Sequence, residues 1–378
     1  MQRQAIALFP TCLLAADDKT VVMLAGDVML GRGIDQIQRH SVDPRIYEDY
    51  VHSAVDYVRL AEQKSGPIPR RVAPEYVWGD ALSILRSLAP SVRIVNLETA
   101  VTASGTPWPG KGIQYRMHPA NVDVLTAARI DCAVISNNHV LDWGREVLPD
   151  ALSALHRAGV KTAGAGSNLE EASAPAIFDL KEGRILVFAM AHESAGVPSS
   201  WAASPARSGV NLLRDLSGND VIANIKRYRK PGDRVVVSIH WGGNWGYDIS
   251  PEQERFAKTL IDSGLVDIIH GHSSHHPKRI EVYRGHLILY GAGDLINDYE
   301  GIGGYAEFRS ELSLIYLPAL SKSGAIESML LVPMRMQRFR LNRASADERE
   351  WLLRLLQRES RGLRFATTSE GLILARPD

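Results

Sequence analysis

The feature that most constrains this chain is a series of apolar, β-branched segments that each end in polar side chains. The first segment runs from Val21 to Ala25 and is followed by Gly26 and Asp27. Such a segment is typical of a strand that is buried on both faces. Similar segments occur at 92–98, 131–139, 185–192, 234–241 and 266–272, and helices are predicted between them, for example at 47–64, 146–158 and 251–264. This alternation predicts a layered α/β fold with a mostly parallel or mixed sheet.

The composition excludes several classes of function. In 378 residues, 43 basic side chains balance 43 acidic ones, so the formal net charge is zero. A chain without a basic excess offers no general attraction to nucleic acid or to an anionic membrane surface. Its two cysteines, Cys12 and Cys132, form no CxxC pair, which argues against a zinc knuckle or a thioredoxin-like site. No apolar run approaches the roughly 18 residues that a membrane span needs.

No internal repeat or composition break divides the chain, which favours one large domain. We expect residues 1–19 to form a leader or a strand extension and residues 20–335 to form the α/β domain. Residues 336–378 are predicted to be a C-terminal helical cap packed on the same domain. The first residues, with an apolar stretch interrupted by Pro10, only weakly resemble a signal peptide. We therefore expect a cytoplasmic location, with secretion as the alternative if residues 1–16 act as a signal peptide.

Five strand ends carry side chains that bind metals. In chain order they provide Asp27, Glu98, Asn138 with His139, His240, and His272 with His275. In an open α/β sheet, ligands bind outside the carboxyl ends of the strands, so we expect these side chains to converge. A mixture of carboxylate, amide and imidazole favours Mn, Fe or Zn, whereas an all-oxygen set indicates Mg or Ca. Each residue alone is more often a turn residue or a helix cap; the prediction depends on their occurring together.

The segment IIHGHSSHHP at 268–277 contains four of the chain's 12 histidines. His272 follows the strand and Gly271, which makes it the best candidate ligand. His275 is the second candidate for chemistry. We expect no functional role for His270, within the strand, or for His276, which precedes a proline.

These motifs resemble those of the bacterial capsule-synthesis CapA-like family. That family is associated with poly-γ-glutamate production and lies within the calcineurin-like metallophosphatase superfamily. The matching segments are GDVMLGR (26–32), NLET (96–99), NNHVLDWG (137–144), HWG (240–242), GHSSHH (271–276) and YGAGDLIND (290–298). The resemblance covers about residues 20–300 and implies a four-layer α-β-β-α sandwich with a metal-dependent site at one edge.

The resemblance also implies roles for individual residues. The implied metal ligands are Asp27, Glu98 in the position of the bridging acid, Asn138, His240 and His272. His139 corresponds to the histidine that contacts the substrate, and His275 to a ligand or a proton donor. Together with Asp27, these two histidines are the expected catalytic residues.

The chain also departs from the superfamily's pattern. Met29 stands where the first motif has a histidine, and Glu98 replaces an aspartate. Two serines separate His272 from His275, and AGDL at 292–295 replaces the usual Leu-Gly-Asn-Phe. Because at least one ligand of the usual metal pair is missing, the sequence is compatible with one divalent ion or with two.

Three functions are compatible with this set of residues. The first is a metal-dependent hydrolase of a phosphoester or an amide-linked polymer such as poly-γ-glutamate, in which His139 or His275 protonates the leaving group. The second is a metal-assisted peptide epimerase or isomerase, in which Asp27 and a histidine exchange a proton beside a carbonyl. The third is a non-catalytic factor that binds or exports a capsule polymer, although the neutral net charge provides no field to attract one.

Other residues are candidates for contacts with a peptide-like or anionic polymer substrate. Arg32 and Arg116 are able to meet anionic groups. Aromatic residues in the predicted loops are able to line a peptide-sized cleft; they are Trp78, Trp108, Trp143, Trp241 and Trp245. We expect roughly three of these five to be core or loop-packing residues instead.

Overall fold

The computed structural model describes residues 19–181 and 183–378, so residues 1–18 of the predicted leader lie outside the described residues. The strands are β1 Thr20–Val28, β2 Val92–Leu97, β3 Ala100–Val101, β4 Arg116–Met117, β5 Cys132–Val134, β6 Lys161–Ala163, β7 Ala165–Gly166, β8 Ala176–Leu180, β9 Gly183–Ala191, β10 Gly209–Val210, β11 Arg234–His240, β12 Ile268–His272, β13 Ile280–Tyr283, β14 His286–Leu289, β15 Asp294–Ile296, β16 Leu312–Leu320, β17 Ile326–Gln337, β18 Arg340–Arg343, β19 Leu363–Thr367 and β20 Ile373–Pro377. The helices are α1 Arg32–Ile37, α2 Ala54–Ser65, α3 Ala81–Leu88, α4 Asp123–Ala127, α5 Leu148–Arg157, α6 Leu169–Ser173, α7 Asn219–Tyr228, α8 Pro251–Asp262 and α9 Ala346–Glu359.

Two sheets contain most of these strands. The larger sheet has the order β19-β20-β17-β16-β1-β2-β5-β6, with β15 also paired to β1 and β18 to β17. The smaller sheet has the order β13-β14-β12-β11-β9-β8. The strands that lead to the predicted ligands are parallel to one another within each sheet; they are β1, β2 and β5 in one sheet and β11 and β12 in the other. The carboxyl ends of these strands therefore lie at the same edge of each sheet.

Three apolar clusters show that the molecule has four layers. On β1, Val21 and Met23 belong to a cluster that includes residues of α1 to α5. Val22 and Leu24 instead pack in a cluster between the two sheets, as expected for a strand buried on both faces. On β9, Leu186 belongs to a third cluster, which includes residues of α7 and α8. The order is helices, large sheet, small sheet, helices, and the predicted α/β fold, a four-layer α-β-β-α sandwich, is confirmed.

Two predicted elements are more than five residues longer than the observed ones. The helix predicted over 47–64 begins only at Ala54, because Arg45 and Ser53 form an isolated antiparallel bridge before it. The strand predicted over 131–139 ends at Val134. Beyond it, the Asn137 side chain accepts a hydrogen bond from the backbone N–H of His139, a local turn interaction that competes with strand pairing.

The C-terminal segment contains strands as well as a helix. Helix α9 begins with a capping box formed by Ser345 and Glu348. It buries Leu352 and Leu356 in the cluster between the sheets, while β19 and β20 extend the large sheet beyond β17. The predicted boundaries at 335 and 336 stay a prediction. None of the helices in the described ranges is both long and apolar enough to cross a membrane.

Candidate metal centre

The predicted ligands meet where the carboxyl ends of strands from both sheets come together. The two sheets contact each other close to this point. His270 Nε2, on β12 of the small sheet, lies 3.1 Å from the backbone oxygen of Ala25, on β1 of the large sheet. The other ring nitrogen of His270 lies 3.1 Å from Ser238 Oγ. Both nitrogens of His270 therefore have partners, one in the large sheet and one on the neighbouring strand of the small sheet.

Asp27 lies at the centre of the group and is fully buried. Its Oδ1 accepts a hydrogen bond of 2.8 Å from Asn96 Nδ2. Its Oδ2 is buried and has no hydrogen-bond partner among the described residues. Burial and the neighbouring Asp294 carboxylate raise the pKa of Asp27 to about 7. The chain itself therefore does little to stabilise the negative charge of the Asp27 carboxylate.

Two asparagines that the sequence analysis did not select connect the acids. Asn96 Nδ2 also donates to Glu98 Oε2 at 3.2 Å, and Asn96 Oδ1 accepts from Asn137 Nδ2 at 3.0 Å. The period of two in β2 places Asn96 and Glu98 on the same face, a signal that was available in the sequence. The pKa of Glu98 is well above its usual value because Glu98 is buried and lies beside Asp27.

His240 and His272 form a pair of neighbouring imidazoles. Their Nδ1 atoms lie 2.9 Å apart, and His240 Nε2 lies 3.0 Å from Asn138 Oδ1. His272 Nδ1 is 3.9 Å from Asp27 Oδ1, and His240 Nε2 is 4.0 Å from Glu98 Oε1. Burial holds the pKa of both histidines well below the usual value. Both are therefore neutral at pH 7, which is the form that binds metals.

The donor set fits a divalent cation. Asp27, His240 and His272 each offer one ligand atom, and these atoms lie within 4.8 Å of one another. The unpartnered Oδ2 of Asp27 is the kind of buried acceptor that a cation satisfies. Glu98 and Asn138 both lie beside His240, so all five predicted ligands are brought together. Their roles as ligands stay predictions.

His139 lies beside this group and has a carboxylate behind it. Its Nδ1 is 2.6 Å from Asp142 Oδ2, whereas its Nε2 is 3.8 Å from Glu98 Oε1. Lys111 Nζ lies 2.7 Å from the other oxygen of Asp142. Burial lowers the pKa of His139 to about 4 despite the contact with Asp142. Asp142 and Lys111 were not selected from the sequence; Asp142 lies in the NNHVLDWG motif, whereas nothing in the sequence marks Lys111.

His275 lies on the other side of Asp27. Its Nδ1 is 2.9 Å from Asp294 Oδ1, and its Nε2 is 3.3 Å from the hydroxyl of Tyr299. Burial alone lowers the pKa of His275, but the Asp294 carboxylate outweighs it, so the pKa is raised. His276 instead packs against aromatic rings, with its ring centre 4.5 Å from that of Phe308.

The five tryptophans that were candidates for substrate contacts divide into buried and partly exposed ones. Trp78, Trp143 and Trp241 are buried in the core, whereas Trp108 and Trp245 are partly exposed. Trp245 has its ring centre 5.3 Å from that of His275, and the backbone N–H of Trp108 donates to the oxygen of Asp142.

Both selected arginines are buried, and each contacts neighbouring residues. Arg32 is buried and binds Asp298 and Glu48, so the idea that it meets an anionic substrate is not supported by its position. Arg116 donates to the backbone oxygen of Asp43 and packs over Trp143 at 3.5 Å.

Comparison with known proteins establishes the family. A family model described as "Bacterial capsule synthesis protein PGA_cap" matches residues 21–299. The chain belongs to this family. It is 47% identical over 364 residues to the "Probable polyglutamine synthesis accessory protein" of Mycobacterium tuberculosis (strain ATCC 25618 / H37Rv), covering 94% of this chain and 96% of that protein. The resemblance stated from the motifs is thereby confirmed.

More distant similarity extends to other members and to one solved structure. The chain is 27% identical over 284 residues to "PGA biosynthesis protein CapA" of Bacillus subtilis (strain 168), covering 75% of this chain and 64% of that one. A 5′-nucleotidase precursor from Thermus thermophilus has a similar structure, with a TM-score of 0.42 and 12% sequence identity, over 90% of this chain and 59% of that chain.

Proposed function

We propose that this member of the PGA_cap family is a metal-dependent hydrolase that cleaves a phosphoester or an amide-linked polymer of the poly-γ-glutamate type. The observation that carries the proposal is the buried, unpartnered Oδ2 of Asp27 beside the neutral imidazoles of His240 and His272. A buried carboxylate without a partner costs several kcal/mol. A bound cation offsets that cost, and we expect the cation to be Mn, Fe or Zn.

Asp27, Glu98, Asn138, His240 and His272 are the residues that would hold the ion. A divalent ion in such a site lowers the pKa of a water molecule and polarises the bond to be cleaved. The neutral imidazoles and the amide oxygen of Asn138 provide donors without adding charge. Asn96 holds the two acids in place, since it donates one hydrogen bond to each.

His139 is the residue that would move the proton. Its Nδ1 donates to Asp142 Oδ2, which leaves Nε2 as the nitrogen facing the acids. Because His139 is neutral, Nε2 accepts a proton during attack and then returns it to the leaving group. Asp142 fixes the tautomer and stabilises the transient imidazolium, as a carboxylate behind a catalytic histidine does.

The surroundings of the two histidines suit an anionic, peptide-like substrate. Lys111 places an ammonium group beside His139, with 14% of its side chain exposed. The ring of the partly exposed Trp245 lies beside His275, and the partly exposed Trp108 is held next to Asp142 by a hydrogen bond from its backbone N–H to the backbone oxygen of Asp142. Aromatic surfaces of this kind pack against the apolar parts of a polymer, and the relatives named for polyglutamine or PGA synthesis support such a substrate.

The test is hydrolysis by the purified protein with Mn present. We expect release of product from an aryl phosphate or from poly-γ-glutamate, and its loss in His272→Ala. The control is His156→Ala, which alters an exposed histidine whose Nε2 contacts only Thr162 Oγ1 among the described residues. Full activity in His272→Ala, or no cleavage of either substrate by the metal-loaded protein, contradicts the proposal.

A peptide epimerase is the second candidate, and one observation favours it. The pKa of Asp27, about 7, suits a group that takes and returns a proton near neutral pH. Entry of solvent deuterium into a peptide without cleavage identifies this reaction. Binding of the polymer with neither cleavage nor exchange identifies instead a non-catalytic binding or export factor.

A further inference from the structure

We propose that the hydroxyl of Tyr115 is a hydrogen-bond donor for the substrate, and that its acceptor is the carbonyl oxygen of an amide-linked chain. The inference rests on the proposed function and deepens it, because it assigns a substrate class to the same pocket. Tyr115 lies in the loop between β3 and β4. Neither the metal centre nor the proton transfer by His139 uses it.

The Tyr115 hydroxyl is a buried donor that the fold leaves unpaired. Only 1% of the residue is exposed, and its Oη has no hydrogen-bond partner among the described residues. The large majority of buried side-chain polar atoms have a partner, and a hydroxyl without one destabilises the folded state. A phenylalanine would fill the same space without this cost. The hydroxyl is therefore the kind of group that a fold retains for a ligand.

Tyr115 is held against His139. Its backbone N–H donates to Asp142 Oδ2 at 2.6 Å, and the same oxygen contacts Nδ1 of His139. The ring centres of Tyr115 and His139 lie 4.6 Å apart, with the planes at 79°. One carboxylate thus positions both residues, and the phenol ring forms part of the pocket wall beside the histidine.

Tyr115 also lies next to Tyr299, which contacts the other catalytic histidine. Burial raises the pKa of Tyr115 well above its usual value, and the nearby Tyr299 phenol raises it further. Tyr115 therefore stays a neutral O–H group. The Tyr299 hydroxyl lies 3.3 Å from His275 Nε2, so it has a partner. The Tyr115 hydroxyl is the one left unpaired between the two histidines.

A substrate reaches the pocket at these two histidines. Of the His139 and His275 side chains, 8% is exposed in each case, whereas Asp27 and His272 are exposed by 0% and 1%. A substrate group that contacts both histidines lies against the phenol between them. Because Tyr115 is itself buried, its hydroxyl then meets the substrate rather than bulk water.

The charges around Tyr115 favour a carbonyl oxygen over a phosphoryl group, which Arg or Lys usually binds. The guanidinium carbon of Arg32 lies 4.3 Å from the Tyr115 ring centre, but two carboxylates already pair with this cation. Lys111 lies at Nδ1 of His139, 3.1 Å away, and pairs with Asp142. The donor left over is a neutral O–H group, which suits an amide oxygen that becomes negative only as the reaction proceeds.

The first measurement is urea unfolding of the ligand-free, full-length protein. We expect the midpoint of Tyr115→Phe to equal or exceed that of the wild type, because the change removes an unpaired buried hydroxyl. Tyr57→Phe is the matched control and should have a lower midpoint. Tyr57 packs on the same guanidinium, 3.9 Å from its ring centre, but its hydroxyl donates to Glu48 and accepts from Arg32.

The second measurement is calorimetric binding of a γ-glutamyl oligomer to the protein loaded with Mn²⁺. We expect Tyr115→Phe to bind it about 10-fold more weakly, as for the loss of one neutral hydrogen bond. Tyr57→Phe should bind it like the wild type. In cleavage of poly-γ-glutamate, kcat of Tyr115→Phe should fall by about 100-fold, whereas cleavage of an aryl phosphate should stay at the wild-type rate.

The outcomes separate this inference from the proposed function. A lower midpoint in Tyr115→Phe overturns the inference, because the hydroxyl would then have a partner in the fold. Equal affinity of Tyr115→Phe and the wild type for the oligomer overturns it too, as does no binding by the wild type. Binding without cleavage, weakened in Tyr115→Phe, contradicts the proposed function alone. Cleavage with unchanged kcat and KM in Tyr115→Phe contradicts this inference alone.

Discussion

Two buried charged clusters lie close together after β1, and they differ in how their charges are compensated. In the Arg32 cluster, Arg32 donates to both oxygens of Asp298 and to one of Glu48. The other Glu48 oxygen accepts from the hydroxyl of Tyr57, so every carboxylate oxygen has a donor. In the Asp27 pocket, Oδ2 of Asp27 has none among the described residues.

The difference shows that burial of charge does not by itself mark a functional site. Both clusters are almost inaccessible, with Arg32 at 3% and Asp27 at 0% exposure. The Arg32 cluster is complete, so it stabilises the fold and leaves nothing for a ligand. The Asp27 pocket is incomplete, and an external cation is the simplest group that completes it. The three predictions below test this contrast, the first two as changes in stability at one pH and the third as a slope of stability against pH.

The first prediction concerns the completed cluster. Arg32→Met should lower the free energy of unfolding by about 3–5 kcal/mol, because it leaves two buried carboxylates without their partner. Urea unfolding measures this change. Arg354→Met is the control, since Arg354 pairs with Glu350 on the surface and should change stability by less than about 1 kcal/mol. A similar small effect for both variants would mean that the Arg32 cluster contributes little to the stability of the fold.

The second prediction concerns the incomplete pocket. Metal-free protein should gain about 2.7 kcal/mol of stability when Mn²⁺ is added to 100 times its dissociation constant. Thermal unfolding with and without the ion measures the gain. Asp27→Asn, which removes the central charge, should lose most of it, whereas Arg354→Met should keep all of it. An equal gain in Asp27→Asn would place the ion elsewhere.

The fold was predictable because its signals are local and repeated. Buried strand segments that end in polar residues predicted the parallel core, and the metal-binding side chains at five strand ends predicted the pocket. Asn96 was also within reach, since it lies two residues before Glu98 on the same face of β2. The sandwich itself follows from which face of each strand is apolar, and strands such as Val21–Ala25 are apolar on both.

The features that could not be predicted from the sequence depend on pairing between distant segments. Nothing in the sequence around Asp294 shows that β15 pairs with β1 and places it opposite Asp27. Equally, Arg32 looks like a free cation beside the first motif, because Asp298, which neutralises it, is distant in the chain. Charge balance in a buried pocket is a property of the tertiary structure. Sequence reasoning therefore identifies the metal-binding side chains but not whether their charges are neutralised by other residues.

The third prediction uses pH to separate the uncompensated acid from its neighbours in the metal-free protein. The pKa of Asp27 is about 7 in the folded state and 3.8 when unperturbed. Between these values the folded state keeps a proton that the unfolded state has lost, so this group makes stability fall as pH rises. The expected contribution is about 1.4 kcal/mol for each pH unit in that window.

Asp27→Asn is the matched variant, because other groups in the pocket titrate too. The raised pKa of Glu98 makes stability fall as pH rises, and the lowered pKa values of His139, His240 and His272 make it rise; these groups are present in both proteins. The stability of the variant minus that of the wild type should therefore increase from pH 4 to 7 and level off above it. Urea unfolding at half-unit pH steps in the presence of a chelator measures this difference. A difference that does not change with pH would show that Asp27 is compensated after all, like the carboxylates around Arg32, and the contrast between the two clusters would disappear.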